Sequence, residues 1–349
     1  MKLFHISHTD LDGYGCHMLT QEHFKTGTFL NANYGQEVKL AIKKVLEEIK
    51  NENNESVLFL ITDVNLTSGE AKDLDKEVSA LNKEGKNIEL QLLDHHGTGQ
   101  KSADKYDWYF LDTKRCATKI VYEYLQDKFQ AFDENEKKIL DPLVAAINAV
   151  DIWLDDEVDN FEFGKVLLTM ISKVREINNI LFAKENRDFR IYLLKEAGKL
   201  INEKNAAIVL DEKIYFLKKK YLQQDAKNDT IDNLSSKYLV HCLNIIKDDL
   251  TLSYKGHKGI FTYTLGGISI PANAFLKANT DYDFFIDISR KGNTSLRADG
   301  KVDVSMLATK LANGGGHPNA SGCKFDDFRE SINLSDTRAF LQNKLDKIS

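Results

Sequence analysis

Apolar and polar positions follow two different periods along the first 150 residues, and the changes of period mark predicted strands and helices. Short, nearly continuous apolar runs, typical of strands buried on both faces, stand at 2–8, 28–34, 57–62, 88–93 and 108–111. Between them, apolar residues three or four positions apart predict helices at 14–24 and 37–52, after Thr67 or Ser68, and at 117–126 and 134–150. Strands that alternate with helices predict an α/β fold with a mainly parallel sheet flanked by helices.

The second half of the chain has a different pattern. Residues 160–221 are highly charged with helical spacing of the apolar positions, which predicts a helical connector, and the polar stretch 223–236 predicts a boundary loop. Predicted strands at 238–243, 259–265, 283–289 and 294–298, with a helix at 304–312, indicate a smaller C-terminal α/β domain. We therefore expect domains at 1–159 and 223–349, a connector at 160–222, and a cleft between the domains.

Charge and composition exclude several classes of protein. The net charge of −6 argues against a broad basic surface for long nucleic acid, whereas a short anionic substrate remains compatible. The four cysteines form no C-x-x-C pair, which favours a reducing cytoplasm over a disulfide framework. No apolar run reaches the roughly 18 residues that a membrane span needs, so we expect no membrane contact.

Acids and histidines follow three of the predicted strands. Asp10 and Asp12 stand in a predicted turn over 9–13, where an extended backbone would point both carboxylates to one side. Asp63 follows the third strand, and Asp94-His95-His96 follows the fourth. Because ligands of parallel sheets bind at the carboxyl ends of the strands, we expect these side chains to meet there, together with Asp151 at the end of a predicted helix.

Each cluster taken singly has an ordinary explanation. An isolated D-x-D pair is more often an Asx turn, and polar residues after a strand are often a plain loop. The coincidence of four such clusters at one edge of the sheet favours a metal site. Carboxylates and imidazoles without thiolates suit Mn²⁺ or Mg²⁺ better than Zn²⁺ or Fe²⁺.

With these motifs the chain resembles the DHH phosphoesterase superfamily, which is named for the Asp-His-His triplet at Asp94–His96. The four ordered motifs of that superfamily match 8–12, Asp63, 94–96 and Asp151 here, and the Gly-Gly-Gly-His signature of its associated C-terminal domain matches Gly314–His317. Only Thr9 separates His8 from Asp10, where many members have a longer turn with a proline. The short turn is similar to the nanoRNase branch, which cleaves very short RNA.

The resemblance implies two divalent metal ions, Mn²⁺ before Mg²⁺. It implies that His8, Asp10 and Asp63 hold one ion and that Asp12, Asp63, His95 and Asp151 hold the other, with Asp63 shared. His96 would face the substrate phosphate, and Asp94 would orient the histidines. In the C-terminal domain, Arg297 and His317 would grip the phosphate, and backbone N–H groups of Gly314, Gly315 and Gly316 would form an anion-binding nest.

The implied function is a metal-dependent phosphodiesterase that hydrolyses RNA of two to about five nucleotides to mononucleotides, with no partner beyond its nucleotide substrate except a second copy in a homodimer. Two further enzymatic hypotheses stay open, hydrolysis of cyclic dinucleotides and of 3′-phosphoadenosine 5′-phosphate. A RecJ-like exonuclease is disfavoured by the acidic charge. A non-catalytic nucleotide-binding protein is disfavoured because every motif position keeps its metal-capable residue.

Overall fold

A computed structural model describes residues 1–52, 56–331 and 333–348. The chain divides into two compact units. The first comprises Met1–Val174 and Lys184–Leu217, and the second comprises Arg175–Ala183 and Lys218–Ser349. The limits at 159 and 222 expected from the sequence remain predictions.

The first unit contains a parallel sheet, which confirms the predicted fold class. Its strands have the order β2-β1-β3-β4-β5, and each pairs in parallel with its neighbours. The strands are β1 (Lys2–Ser7), β2 (Gly27–Asn31), β3 (Ser56–Thr62), β4 (Asn87–Asp94) and β5 (Tyr109–Leu111). The strand order reverses direction at β1 and β3, which is the kind of switch point where open parallel sheets bind ligands.

Helices connect these strands and continue beyond them. They are α1 (Leu11–His23), α2 (Gln36–Asn51), α3 (Ser68–Lys83), the short α4 (Gln100–Ala103), α5 (Ala117–Phe129), α6 (Glu134–Asp151), α7 (Val158–Ser172), α8 (Ala183–Gly198) and α9 (Ala206–Leu222). The apolar faces of α2 and α3 pack on β1, β3 and β4 in one buried core. Capping boxes at Thr67 and Asp133 fix where α3 and α6 begin.

The turn between β1 and α1 differs from the extended turn predicted over 9–13. Asp10 is the N-cap of α1 and accepts a hydrogen bond from the Gly13 N–H at 3.0 Å, so Asp12 already lies in the first helical turn. A Cβ at position 13 would lie 2.4 Å from the carbonyl oxygen of His8. Glycine therefore permits the close approach that places Asp10 and Asp12 at the strand exit.

The second unit contains a mixed sheet of order β10-β11-β9-β8-β7-β6. Its strands are β6 (Thr251–Tyr254), β7 (His257–Tyr263), β8 (Phe284–Ile288), β9 (Asn293–Ala298), β10 (Gly315–His317) and β11 (Ala320–Lys324). Its helices are α10 (Ile231–Ile246), α11 (Ser269–Ala278), α12 (Val304–Ala312) and α13 (Leu334–Asp346). The second α/β fold is confirmed.

Two local predictions in this unit were wrong. The expected strand at 238–243 lies inside α10, and the expected loop at 223–236 is helical from Ile231 onward. Thr230 caps this helix by accepting a hydrogen bond from the Asn233 N–H, a start signal stronger than the short apolar run that follows it. The glycine-rich segment that carries the Gly314–His317 signature forms the β10–β11 hairpin.

Candidate metal centre

The acids and histidines that follow β1, β3 and β4 come together with the end of α6, as expected from the parallel topology. Their ligand atoms form three groups, and the atoms within each group lie within 4.8 Å of one another. The groups are His8 with Asp10 and Asp63, Asp12 with His95 and Asp151, and Asp63 with His95 and His96. Asp63 and His95 each belong to two groups, so the three groups form one continuous cluster.

His8 and Asp10 form the first side of the cluster. The Nδ1 atom of His8 lies 2.7 Å from Asp10 Oδ2 and 3.7 Å from Asp63 Oδ2. Asn31, at the end of β2, donates a hydrogen bond to the His8 carbonyl at 2.7 Å and so holds the strand exit. The hydrogen bond from His8 contributes to lowering the pKa of Asp10 to about 2, against the opposing effect of burial.

His95 lies at the centre of the second side. Its Nε2 atom is 3.7 Å from Asp12 Oδ2, 3.4 Å from Asp63 Oδ1 and 3.6 Å from Asp151 Oδ2. Burial lowers the pKa of His95, so the imidazole is neutral and keeps the lone pair that a metal ligand needs. Burial, with the neighbouring Asp12 and Asp10 carboxylates, raises the pKa of Asp151 to about 8.

Asp63 is the most constrained residue of the cluster. It is 1% exposed, and its backbone has a φ of 57°, in the left-handed region that few residues other than glycine adopt. Its Oδ2 atom accepts no hydrogen bond among the described residues. Burial and the Asp12 and Asp10 carboxylates raise its pKa well above the ordinary range. Without a cation, this carboxyl therefore takes up a proton more readily than an ordinary aspartate does.

These features fit a divalent metal better than they fit a protein hydrogen-bond network. Several carboxylates buried together are unfavourable unless a cation balances them. Ligand atoms held about 2.1 Å from one ion lie about 3 to 3.5 Å from each other, close to the 3.4–3.7 Å separations around His95. Oxygen and imidazole donors without thiolates suit Mn²⁺ and Mg²⁺.

Asp94 and His96 form a hydrogen-bonded pair at the edge of the cluster, where His96 belongs to the group of Asp63 and His95. Asp94 is fully buried, and its carboxylate accepts one hydrogen bond from His96 Nδ1 at 2.8 Å and another from the Tyr109 hydroxyl at 3.0 Å. The bond to Asp94 raises the pKa of His96. The other ring nitrogen of His96 lies 3.1 Å from the Tyr34 hydroxyl, toward the open side, since 43% of Tyr34 is exposed.

Asp12 is fixed from behind by the beginning of α5. Its two carboxylate oxygens accept hydrogen bonds from the backbone N–H groups of Ala117 and Thr118, each at 2.7 Å. These N–H groups belong to the first turn of α5 and have no acceptor within the helix. A carboxylate has about four acceptor positions, so each Asp12 oxygen keeps a lone pair for the cluster.

The residues expected to bind phosphate in the C-terminal part lie on neighbouring strands of the second unit. Arg297 pairs with Ala320, and Ala320 pairs with His317. Directly paired residues point to the same face of a sheet, so Arg297 and His317 share a face, two strand spacings or about 10 Å apart. Arg297 donates to the Ser269 hydroxyl at 3.0 Å, and His317 is exposed.

The three glycines of the same hairpin differ in what surrounds their N–H groups. The N–H of Gly314 already donates to the Ala308 carbonyl at 3.0 Å, whereas Gly315 and Gly316 are exposed members of β10. A Cβ at Gly314 would lie 2.2 Å from the Gly322 carbonyl oxygen, which explains why the hairpin requires glycine there. Of the three N–H groups expected to form an anion nest, that of Gly314 is engaged in the fold.

Sequence reasoning missed the residues that hold the cluster in place: Asn31, Tyr34, Tyr109, Ala117 and Thr118. Tyr34 follows β2, so the rule applied to the other strand exits could have found it. No pattern in the sequence predicts the roles of Tyr109, Ala117 or Thr118, because their contacts with Asp94 and Asp12 arise only from tertiary packing.

Comparison with known proteins gives both a full-length relative and a matching structure. No family model matches the chain. A 3′,5′-cyclic-nucleotide phosphodiesterase of Helicobacter pylori is 43% identical over 338 residues, 97% of this chain and 97% of that protein. The crystal structure of an uncharacterized protein from Helicobacter pylori G27 has a TM-score of 0.93 and 43% identity, and the match covers 99% of both chains.

A more distant relative has a different named activity. The oligoribonuclease NrnB of Bacillus subtilis is 22% identical over 334 residues, 93% of this chain and 73% of that protein.

Among the described residues, no helix has the length and apolar character needed to cross a membrane.

Proposed function

Because the chain belongs to the DHH phosphoesterase superfamily, and is therefore a hydrolase of phosphoester bonds, we propose that it acts on small nucleotides. The preferred substrates in this proposal are 3′,5′-cyclic nucleotides. The observation that carries this proposal is the cluster around Asp63, a buried carboxylate whose Oδ2 atom accepts no hydrogen bond among the described residues. Support for the substrate comes from the relative in Helicobacter pylori, which is 43% identical over nearly its whole length.

The cluster divides into two proposed ligand sets. His8, Asp10 and Asp63 would hold one divalent ion, and Asp12, Asp63, His95 and Asp151 would hold the second. Bound there, the ions would supply a Lewis acid for a phosphoryl oxygen and a hydroxide at neutral pH. Because the donors are oxygen and imidazole nitrogen atoms, we propose Mn²⁺ as the preferred ion and Mg²⁺ as the alternative.

His96 would contact the phosphoryl group directly. Its Nδ1–H is committed to Asp94, so the ring has a fixed orientation and presents Nε2 toward the side on which Tyr34 is exposed. Asp94 raises the pKa of His96 and so favours the doubly protonated ring, whose Nε2–H could be donated to an oxygen on which negative charge develops. The Tyr34 hydroxyl, which now occupies that position, would move aside or bond to the same oxygen.

In the second unit, we propose Arg297 and His317 as phosphate contacts. Their common face allows both to meet one anion across the small side chain of Ala320. A guanidinium with a fixed fork of donors is suited to phosphate, and its present bond to the Ser269 hydroxyl is one that a phosphate oxygen could replace. Gly315, Gly316 and Gly314 would serve mainly to shape the hairpin that carries His317.

Short RNA is the second candidate substrate. It was the activity expected from the sequence, and the likeness to an oligoribonuclease from Bacillus subtilis favours it. The identity of 22% is about half that of the cyclic-nucleotide phosphodiesterase, so we rank it second. Both substrates are phosphodiesters of one or a few nucleotides and require the same ions.

A substrate panel tests the proposal. Purified protein is stripped with a chelator, reloaded with Mn²⁺ or Mg²⁺, and given 3′,5′-cyclic AMP, a diadenylate, a 24-nucleotide RNA, a cyclic dinucleotide and 3′-phosphoadenosine 5′-phosphate. We expect metal-dependent release of a mononucleotide, with the largest kcat/KM for the cyclic mononucleotide. Faster turnover of the diadenylate would make short RNA the substrate, and preference for the long RNA would contradict both candidates.

Asp63→Asn tests the site itself. The amide keeps the shape of the side chain but removes the negative charge and one oxygen of the carboxylate that the two proposed ligand sets share. We therefore expect Mn²⁺ affinity and kcat to fall by more than about 100-fold, with the fold retained. Asp73→Asn, on the exposed surface of α3, is the matched control. Turnover retained in the Asp63 variant would contradict the proposed site.

A further inference from the structure

One large aromatic side chain is exposed directly beside the metal cluster. Trp153 is 64% exposed, and it follows the proposed ligand Asp151 by two residues. Two peptide units span at most about 7.6 Å, so the Trp153 backbone lies within that distance of Asp151. The Asp151 carboxylate is in turn 3.6 Å from His95 Nε2. The backbone of an exposed tryptophan therefore lies next to the cluster.

The backbone at this position makes a tryptophan unusual. Helix α6 ends with the Ile152 N–H bonded to the Asn148 carbonyl and the Leu154 N–H bonded to the Ala149 carbonyl, the pattern of a Schellman motif. Trp153 is the left-handed residue of that motif, with a φ of 62°. Glycine and asparagine are the residues that favour this position, because a Cβ is unfavourable there. Local folding preference therefore does not account for this tryptophan.

The ring is also held in one place. Trp153 packs edge-on against Phe161, the fourth residue of α7, with 5.1 Å between ring centroids. Phe161 is 7% exposed and belongs to the core, so it is a fixed support. The segment after the ring contains Asp155, Asp156 and Glu157, all exposed. These acids repel phosphate, so an uncharged, flat group is the better occupant of the indole face.

We propose that Trp153 is the stacking platform for the base of the nucleotide whose phosphate lies at the metal cluster. Base-on-indole stacking tolerates any base, because every base has a π face. The exposed carboxylates next to the ring accept hydrogen bonds from exocyclic amino groups, which favours adenine, cytosine or guanine over uracil. This proposal rests on the proposed nucleotide phosphodiesterase function and names the residue that recognises the base.

Fluorescence gives a test that needs no turnover. The chain has two tryptophans, Trp108 and Trp153, and Trp108 is stacked against Tyr106. In the presence of Mg²⁺, which does not quench, AMP is expected to quench the native protein saturably, whereas ribose 5-phosphate is not. The quenching should disappear in Trp153→Phe, where only Trp108 emits. Equal quenching by ribose 5-phosphate, or quenching that persists in the variant, would overturn the proposal.

Kinetics give the second test. Trp153→Leu keeps the backbone conformation and the apolar bulk but loses the π face, so KM for the cyclic nucleotide should rise about fivefold to a hundredfold, with kcat little changed. Trp153→Phe should recover most of the native KM. Trp153→Gly should raise KM equally without lowering the thermal midpoint, because glycine suits the left-handed backbone. A native KM in the leucine variant would overturn the platform.

The outcomes separate this proposal from the one on which it rests. Absence of any nucleotide turnover would remove the proposed function, yet AMP quenching would still show whether Trp153 binds a base. If nucleotides are hydrolysed and the leucine variant keeps the native KM but loses self-association, the ring is a protein contact and the platform proposal is wrong.

Discussion

At the scale of single residues, His95 and His96 are adjacent in sequence but have opposite roles. Burial lowers the pKa of His95, which faces three carboxylates, whereas Asp94 raises the pKa of His96, which faces Tyr34. The two rings lie against each other, with 4.3 Å between their centroids, but their ring nitrogens meet different partners. One is suited to bind a cation, and the other is suited to donate a proton.

His96→Gln separates these roles. Glutamine can still bond to Asp94 but cannot present a charged donor to the phosphate, so we expect kcat to fall about 10²- to 10³-fold. Mn²⁺ affinity, measured by calorimetry, should change less than about tenfold. In the comparison variant His95→Gln, the main effect should be a loss of Mn²⁺ affinity. A similar loss of affinity in both variants would show that His96 is itself a ligand.

The raised pKa values predict an unusual pH dependence for the metal-free protein. Asp151, with a pKa of about 8, and Asp63 bind protons in the fold that the unfolded chain releases near pH 4. Stability of the metal-free protein should therefore fall as pH rises toward 8, and Mn²⁺, which displaces these protons, should raise the thermal midpoint more at pH 8 than at pH 6.5.

The pH range from 6.5 to 8.5 excludes the competing effect of the buried histidine His5. His5 is buried with a pKa of about 3, and a histidine of lowered pKa destabilises the fold only as pH falls below its unfolded value of about 6.5. Thermal melts of chelator-treated protein between pH 6.5 and 8.5 thus report the carboxyl groups together with His96, whose raised pKa acts in the same direction. A midpoint that rises with pH in this window would contradict the raised pKa values.

At the scale of elements, the turn from β1 to α1 determines where two of the proposed ligands lie. In Gly13→Ala the new methyl group would meet the His8 carbonyl at 2.4 Å and push the turn open. We expect a loss of about 1–3 kcal/mol in stability and a weaker Mn²⁺ affinity, measured by denaturant melts and calorimetry. Gly69→Ala in α3, where no atom lies within 4 Å of the added group, should be neutral or stabilising.

The elements that sequence could predict are those whose period is long and uninterrupted. The buried strands and the amphipathic α2 and α3 of the first unit were predicted within a few residues. Helix α10 was mistaken for a strand because Tyr238–Leu243 is a short apolar run in which period 2 and period 3.6 look alike. The exits of the parallel strands were enough to predict which acids and histidines meet, but not which backbone groups hold them.

At the scale of the whole molecule, the chain passes between the two units at three points, after Val174, Ala183 and Leu217. Periodicity along a sequence predicts successive domains, so an excursion of nine residues into the other unit, 175–183, has no sequence signal. The first unit includes α7 and most of α8 and α9, and a limit at 159 would separate α6 from the helix that packs on it.

A fragment ending at 159 tests this arrangement. Gly164 of α7 approaches the carbonyl of Ala146 in α6 so closely that a Cβ would lie 2.4 Å away, and Phe163 and Leu167 are buried nearby. Removing α7 would expose this apolar face, so the fragment 1–159 should aggregate or melt without cooperativity, whereas 1–217 should melt cooperatively and gain stability with Mn²⁺. Cooperative melting of the shorter fragment, followed by circular dichroism, would support the predicted limit at 159.

The hydrogen bonds from Ala117 and Thr118 to Asp12 have one more consequence. The amide protons of these two residues are protected from solvent by a carboxylate that a metal ion would also use. Occupancy of the cluster and hydrogen–deuterium exchange at the beginning of α5 are therefore coupled through Asp12. The exchange rates of these two backbone amides, which lie outside the ligand set, therefore report metal loading. They can be measured by mass spectrometry in the absence of any substrate.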